Sequence, residues 1–308
     1  MLIAPQNDVP TVRRRWTLLA AARASFGREP GLTAVGIAGM LLSAVCLIAV
    51  AVRGRTIPPE GKMLDAATFA FGIGVYTLSI ALLLPLAGYS RSARMRWRRL
   101  FYVFVVYGYV VETTQAFRGL DPRFSDEGEQ IDAITGAVFG VTALLNTVLF
   151  VVLGLRFFRS TVLEDRPVLR LGIRYGVVAV MLSFAVGSIM SVLNGREVGD
   201  EGNLLIAHAL GVHGIQVLPV VALAVGACRA GTRPPTWVHV AGVAWLVACV
   251  AALLQALMGD PPFEPSALTA LIVAALAVFS AIAAMGVSSY AFARADEPRS
   301  TVQVPPVR

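Results

Sequence analysis

WVHVAGVAWLVACVAALLQALM (237–258) and ALTALIVAALAVFSAIAAMGVSSY (267–290) contain no Asp, Glu, Lys or Arg, and only GDPPFEPS (259–266) separates them. Each is long enough to cross a hydrocarbon layer of about 30 Å as a helix, which needs roughly 20 residues. A helix is required because lipid offers the backbone no hydrogen-bond partner. Six further apolar stretches precede these two, giving the spans Leu32–Val52, Ala66–Tyr89, Leu100–Phe117, Ala133–Phe157, Leu171–Leu193, Leu204–Cys228, Trp237–Met258 and Ala267–Tyr290. The expected fold is all-α, a polytopic transmembrane helix bundle of about eight spans. Residues 1–31 form an N-terminal segment, 32–290 the membrane domain and 291–308 a disordered tail.

Composition agrees with this reading. Of 308 residues, 56% are hydrophobic and 15% charged, against about a quarter charged in a soluble domain. The pI near 9.8 would suit nucleic acid, but the arginines lie in short loops beside apolar runs, where they meet anionic headgroups. No nucleic-acid partner is expected; the lipid bilayer is. Of the 26 Lys and Arg, 20 fall in the N-terminal segment, the second, fourth and sixth loops and the tail. The positive-inside rule then places both termini in the cytoplasm, in a bacterial inner membrane. Trp16, Leu19 and Phe26 suit an interfacial helix before the first span. Cys46, Cys228 and Cys249 lie in or beside apolar segments, with no C-x-x-C pair, and read as small buried residues. No internal repeat stands out, which weighs against a transporter built from inverted halves.

Polar side chains inside spans are costly and therefore informative. With the inferred orientation, Glu112, Gln115 and Arg118 fall in the outer part of span three. His208, His213 and Gln216 fall in the same half of the membrane on span six. Asn194, Arg196, Gln255 and Met190 lie near outer ends of spans and are accessory candidates. If spans three and six touch, the first six residues line one polar pocket opening outward, which would bind or transport a small polar or anionic ligand. Arg118 would hold an anionic or carbonyl group, and Glu112 with a histidine would exchange a proton. The alternative is structural: Glu112 clasps Arg118 or a neighbour, and the histidines bond backbone carbonyls.

A membrane redox protein holding heme or quinone is a second reading, and a structural or assembly partner without ligand a third. His208 and His213 point roughly 140° apart on an unbroken helix, so they do not share a metal. His239 lies at the opposite end of its span, which leaves only a His/Met heme involving Met190. No metal site is expected, and the cofactor stays unassigned. Walker, H-E-x-x-H and G-x-S-x-G motifs are absent, so no enzymatic reaction is indicated. Lys62, the only lysine, lies outside every span, which rules out an intramembrane retinal Schiff base.

Gln115-Ala-Phe-Arg118-Gly119, leading to Phe124, resembles a Q-x-x-R-G-x-x-x-x-F signature of an uncharacterised family of multi-pass bacterial membrane proteins. The stretch from Ala207 and His208 through Gly211, His213 and Gln216 to Pro219 is similar to that family's A-H-x-x-G-x-H-x-x-Q-x-x-P segment. Thr68-Phe69 through Tyr76 also looks like its second span. The resemblance implies the architecture and the choice of site, and no activity. It departs where the family has lysines before the second span, here Asp65 and Thr68, and a histidine near Arg123.

Overall fold

The computed structural model describes residues 26–123, 125–226 and 234–295. Trp16, Leu19, Phe124, Cys228 and the tail after Ala295 lie outside the described residues. Among the described residues, eight helices are long and apolar enough to cross a membrane. They are α1 (Pro30–Arg53), α2 (Met63–Leu83), α3 (Arg91–Arg118), α4 (Gln130–Arg156), α5 (Pro167–Val192), α6 (Leu205–Gly226), α7 (Pro234–Leu257) and α8 (Ala267–Ala295). Large side chains such as Leu41, Ile48, Leu144 and Val273 are exposed along them. On a span, that surface belongs to lipid.

Helix ends follow local chemistry. Pro30 and Pro167 open α1 and α5, where a missing N–H costs nothing. Ser90 caps α3 by accepting from the Ala93 amide at 3.3 Å. Glu129 and Asp132 form a capping box at the start of α4. Helix α6 runs through Pro219 without interruption. Helix α3 begins well before the expected Leu100. Its first turns carry Arg94 and Arg98, both aimed at Glu29, which is fully buried, at 3.4 and 2.8 Å. That clamp ties α3 to the start of α1, so the basic residues extend the helix instead of ending it.

The eight helices divide into α1–α4 and α5–α8, which meet through α2 with α6 and α4 with α5. The two groups repeat one another, contrary to the expectation of no repeat. Each runs helix, two-stranded hairpin, helix, helix, helix. Hairpin β1–β2 (Thr56–Ile57, Gly61–Lys62) corresponds to β3–β4 (Glu197–Val198, Gly202–Asn203). Their registers agree: Thr56 opposes Lys62 and Ile57 opposes Gly61, as Glu197 opposes Asn203 and Val198 opposes Gly202. Around them GRTIPPEGKML (54–64) matches GREVGDEGNLL (195–205), and QAFRGLDPRF (115–124) matches QALMGDPPF (255–263) with one residue fewer.

The matching residues do matching work. Gly119 and Gly259 end their helices at φ 80° and 81°, the left-handed conformation that glycine adopts freely. The next amides return to Gln115 O at 2.9 Å and Gln255 O at 3.2 Å. Glu60 N donates to Gly119 O at 2.8 Å, and Glu201 N to Gly259 O at 3.2 Å. A Cβ on Gly61 would sit 2.6 Å from Ala116 O, and one on Gly202 would press into Ala256 O. Small clusters beneath the hairpins also correspond. Cys46, Met63, Ala66 and Ala116 stand where the second repeat has Val186, Leu204, Ala207 and Ala256. Four helices per repeat mean that both enter the bilayer from the same side, the parallel class of repeat.

Gly61→Ala and Gly202→Ala should each lower the melting temperature in detergent, at a cost of about 1–3 kcal/mol for overpacking against rigid backbone. Gly140→Ala, with nothing within 4 Å of its Cβ, should be neutral or stabilise by up to about 1 kcal/mol. Equal melting temperatures for all three variants would contradict the packing described.

Candidate functional site

The hairpin end of the first repeat concentrates charge. Glu112, on the inner face of α3, is 1% exposed. Both its oxygens accept from Arg123 Nη2, at 2.8 and 2.7 Å. The Arg123 guanidinium carbon lies 5.7 Å from the Phe69 ring centroid on α2 and 5.5 Å from that of Phe139 on α4, within cation–π range. Nearly two helical turns further along α3, Arg118 is held by Asp132 at 2.5 and 3.2 Å. Gln115 closes this group by donating to Asp132 Oδ1 at 2.9 Å and accepting from Arg118 at 2.6 Å. Glu112 therefore pairs with Arg123 and not with Arg118, and neither arginine carries an unopposed charge.

The loop that delivers Arg123 is anchored by Glu60 from the first hairpin. Its carboxylate accepts from Ser125 Oγ at 2.5 Å, Asp126 N at 2.8 Å and Asp121 N at 3.3 Å. The Ser125 hydroxyl, with help from the amides of residues 126, 121 and 127, holds the Glu60 carboxyl below the usual carboxylate range.

The second repeat supplies imidazoles. His208 Nδ1 lies 2.9 Å from Ser183 O and 3.1 Å from Ser183 Oγ, and that hydroxyl donates to His208 O at 2.7 Å. An Nδ1–H directed at a carbonyl leaves Nε2 as the acceptor. His213 Nδ1 meets Gln216 Oε1 at 2.5 Å, one turn along α6, while Gln216 Nε2 is buried without a partner. Arg123 stands among α2, α3 and α4. The six sequence candidates separate into Glu112, Gln115–Arg118, His208 and His213–Gln216.

The accessory residues are occupied elsewhere. Asn194 takes φ 50° just after α5. Arg196 reaches across the repeats to Asp65 at 3.6 Å. Gln255 donates to Pro261 O at 2.7 Å and to Thr269 Oγ1 at 3.1 Å. Met190 packs with Val186, Leu204 and Ala207 beneath the hairpin. Among the described residues no three His, Cys, Asp or Glu side chains converge.

No protein-family model, curated protein or solved structure matches the chain. The second repeat therefore serves as the comparison for the first. Gln115 recurs as Gln255, and each braces the start of the next helix, so this residue belongs to the fold. Glu112, Arg118, Arg123 and Phe69 have Ala252, Met258, Pro262 and Leu210 in their places. Ala252 borders a cavity of about 10 Å³ with Gln255, Asn203 and Ile272, no larger than one water. Conversely His208, His213 and Gln216 stand where the first repeat has Ala67, Gly72 and Val75. Arg123 escaped the sequence reading because a loop arginine gives no sign that it folds back onto a buried acid.

Arg123→Ala should leave Glu112 buried without a counter-charge and cost about 3 kcal/mol, the low end for a broken buried pair because Arg123 is half-exposed. Glu112→Ala with Arg123→Ala should recover most of that loss. Thermal unfolding in detergent reads both, and additive losses would refute the pairing. Glu60 has a depressed folded-state value, so its stabilisation is full above its unfolded value near 4.3 and is lost as pH falls through the folded value. Glu60→Gln should flatten the melting temperature between about pH 5 and pH 3 relative to the unaltered protein.

Proposed function

We propose that the protein is a carrier of the bacterial cytoplasmic membrane that moves a small polar solute by alternating access. The two four-helix repeats would tilt against one another along α2–α6 and α4–α5. The observation that carries this reading is the parallel repeat, an architecture in which rigid halves rock around a site between them. Divergence between the repeats supports it: one keeps a buried acid with arginine, the other keeps two histidines. Glu112 in one repeat and His208 in the other are side chains suited to moving a proton alongside the solute.

Both arginines are neutralised by carboxylates, so an anion finds no unopposed cation among the site residues. The ligand class narrows to polar or cationic. The distribution of 20 of 26 basic residues supports cytoplasmic termini. Kinship with the uncharacterised multi-pass family belongs to this proposal, with one refinement. The Gln and Gly of its first signature recur at Gln255 and Gly259 and describe the fold; its histidine segment is what marks the second repeat.

Polar ties join the repeats at both ends of the bundle. Asp65–Arg196 lies at the hairpin end. At the other end Arg174 donates to Phe157 O at 2.8 Å and Phe158 O at 3.2 Å. Alternating access requires the first tie to open. With Cys46, Cys228 and Cys249 replaced by Ala, Gln216→Cys should react with an impermeant methanethiosulfonate added to either face of oriented vesicles. Adding Asp65→Asn should raise the outside rate about two- to fivefold, as expected for loss of an exposed ion pair. Reaction from one face only, whatever the state of Asp65, would rule out the carrier.

A further inference from the structure

We propose that Glu112, Phe69 and Phe139 form a binding site for a small organic cation, a guanidinium or alkylammonium group, in which Arg123 is a tethered occupant that the ligand displaces. As the solute class of the carrier this rests on the reading above; as a binding site it is tested separately.

The chemistry of the site selects a cation. A carboxylate at 1% exposure forms the floor, and two aromatic faces form walls at 5.7 and 5.5 Å from the seated guanidinium carbon. Buried carboxylate with aromatic faces is the donor set that recognises guanidinium and ammonium groups. The Arg123 side chain itself shows that a guanidinium fits, with both carboxylate oxygens engaged at 2.8 and 2.7 Å.

The geometry also allows exchange. The Arg123 side chain is 38% exposed while that of Glu112 is 2% exposed, so the arginine covers the buried acid. The loop does not depend on Arg123 to stay in place. Glu60 fastens it at Asp121, Ser125 and Asp126, so the side chain can swing out while the backbone stays. Asp121, Asp126, Glu127 and Glu129 lie in the same loop as Arg123 and raise the local concentration of cations.

The fold does not require this pair. The second repeat builds the same hairpin and helix ends with Ala252, Pro262 and Leu210 at the corresponding positions. A buried ion pair is on average no more stabilising than an apolar replacement of similar volume. Retention of charge at one helix end, beside an apolar set of residues at the corresponding helix end of the other repeat, points to a ligand.

The test uses full-length protein in nanodiscs, with the three cysteines replaced and Glu127→Cys carrying an environment-sensitive fluorophore. Methylguanidinium chloride is titrated against sodium chloride at matched ionic strength. A saturable response to methylguanidinium alone, abolished by Glu112→Gln, is expected. Arg123→Ala, which removes the tethered competitor, should tighten binding about tenfold or more, given the millimolar effective concentration of a short tether. If Arg123→Ala does not fold, the comparison of Glu112→Gln with the unaltered protein decides alone. No saturable response in the unaltered protein, or one that Glu112→Gln leaves intact, would overturn the site. A response only after Arg123→Ala would also overturn it, making the pair a lock. Binding without two-sided reaction at position 216 supports the site and removes the carrier. Two-sided reaction without binding keeps the carrier and removes the cation.

Discussion

Lipid cannot hydrogen-bond, and every polar group this chain carries into hydrocarbon must be answered from within the protein. The helix ends show how this is met, although Gln216 Nε2 on α6 is buried without a partner. Carbonyls left at the end of α4 are taken by Arg174, and those of residues 87 and 88, after α2, by Arg156 at 2.9 and 2.7 Å. Ser, Thr and Trp side chains along the spans turn to nearby carbonyls, as Thr77 does to Ile73 at 2.7 Å and Trp97 to Leu149 at 3.0 Å. Once these demands are met, what is left over becomes conspicuous. Glu112 and Arg123 answer each other, yet nothing in the fold asked for either.

The same constraint explains how the two repeats could drift so far apart in sequence while keeping one structure. Within a span, any aliphatic residue of suitable volume serves, and helices α2 and α6 share few identities beyond Leu64/Leu205 and Ala66/Ala207. At the hairpins and helix ends the backbone makes its closest approaches, and there Gly, Arg, Glu and Gln persist in both copies. Fold information lies at the rims and divergence along the shafts.

That distribution also sets what could be read from the sequence. Hydropathy and the placement of arginine gave eight spans with nearly correct limits, because lipid thickness and headgroup charge act on composition. The start of α3 was misjudged by two turns, since Arg94 and Arg98 look like a loop until their partner Glu29 is known. The repeat passed unnoticed because its identities are short and scattered between long stretches of interchangeable residues. Choosing Glu112, Gln115, Arg118 and the histidines rested on the cost of polarity in a span. Their pairing could not be read, because a contact such as Glu112–Arg123 is made through a loop whose path no periodicity records.

A repeat of four helices has a consequence for biosynthesis and ancestry. Each half begins and ends on the same side of the membrane, so the segment between Phe158 and Pro167 never crosses it. The two halves can therefore be inserted as independent units, and a single half is topologically complete. One half alone could build such a bundle only as a symmetric pair, with every residue appearing twice. Two unlike halves in one chain are free of that constraint. One copy could gather carboxylate and guanidinium while the other gathered imidazole, and the joined molecule acquired an asymmetry within the membrane plane that no pair of identical subunits can possess.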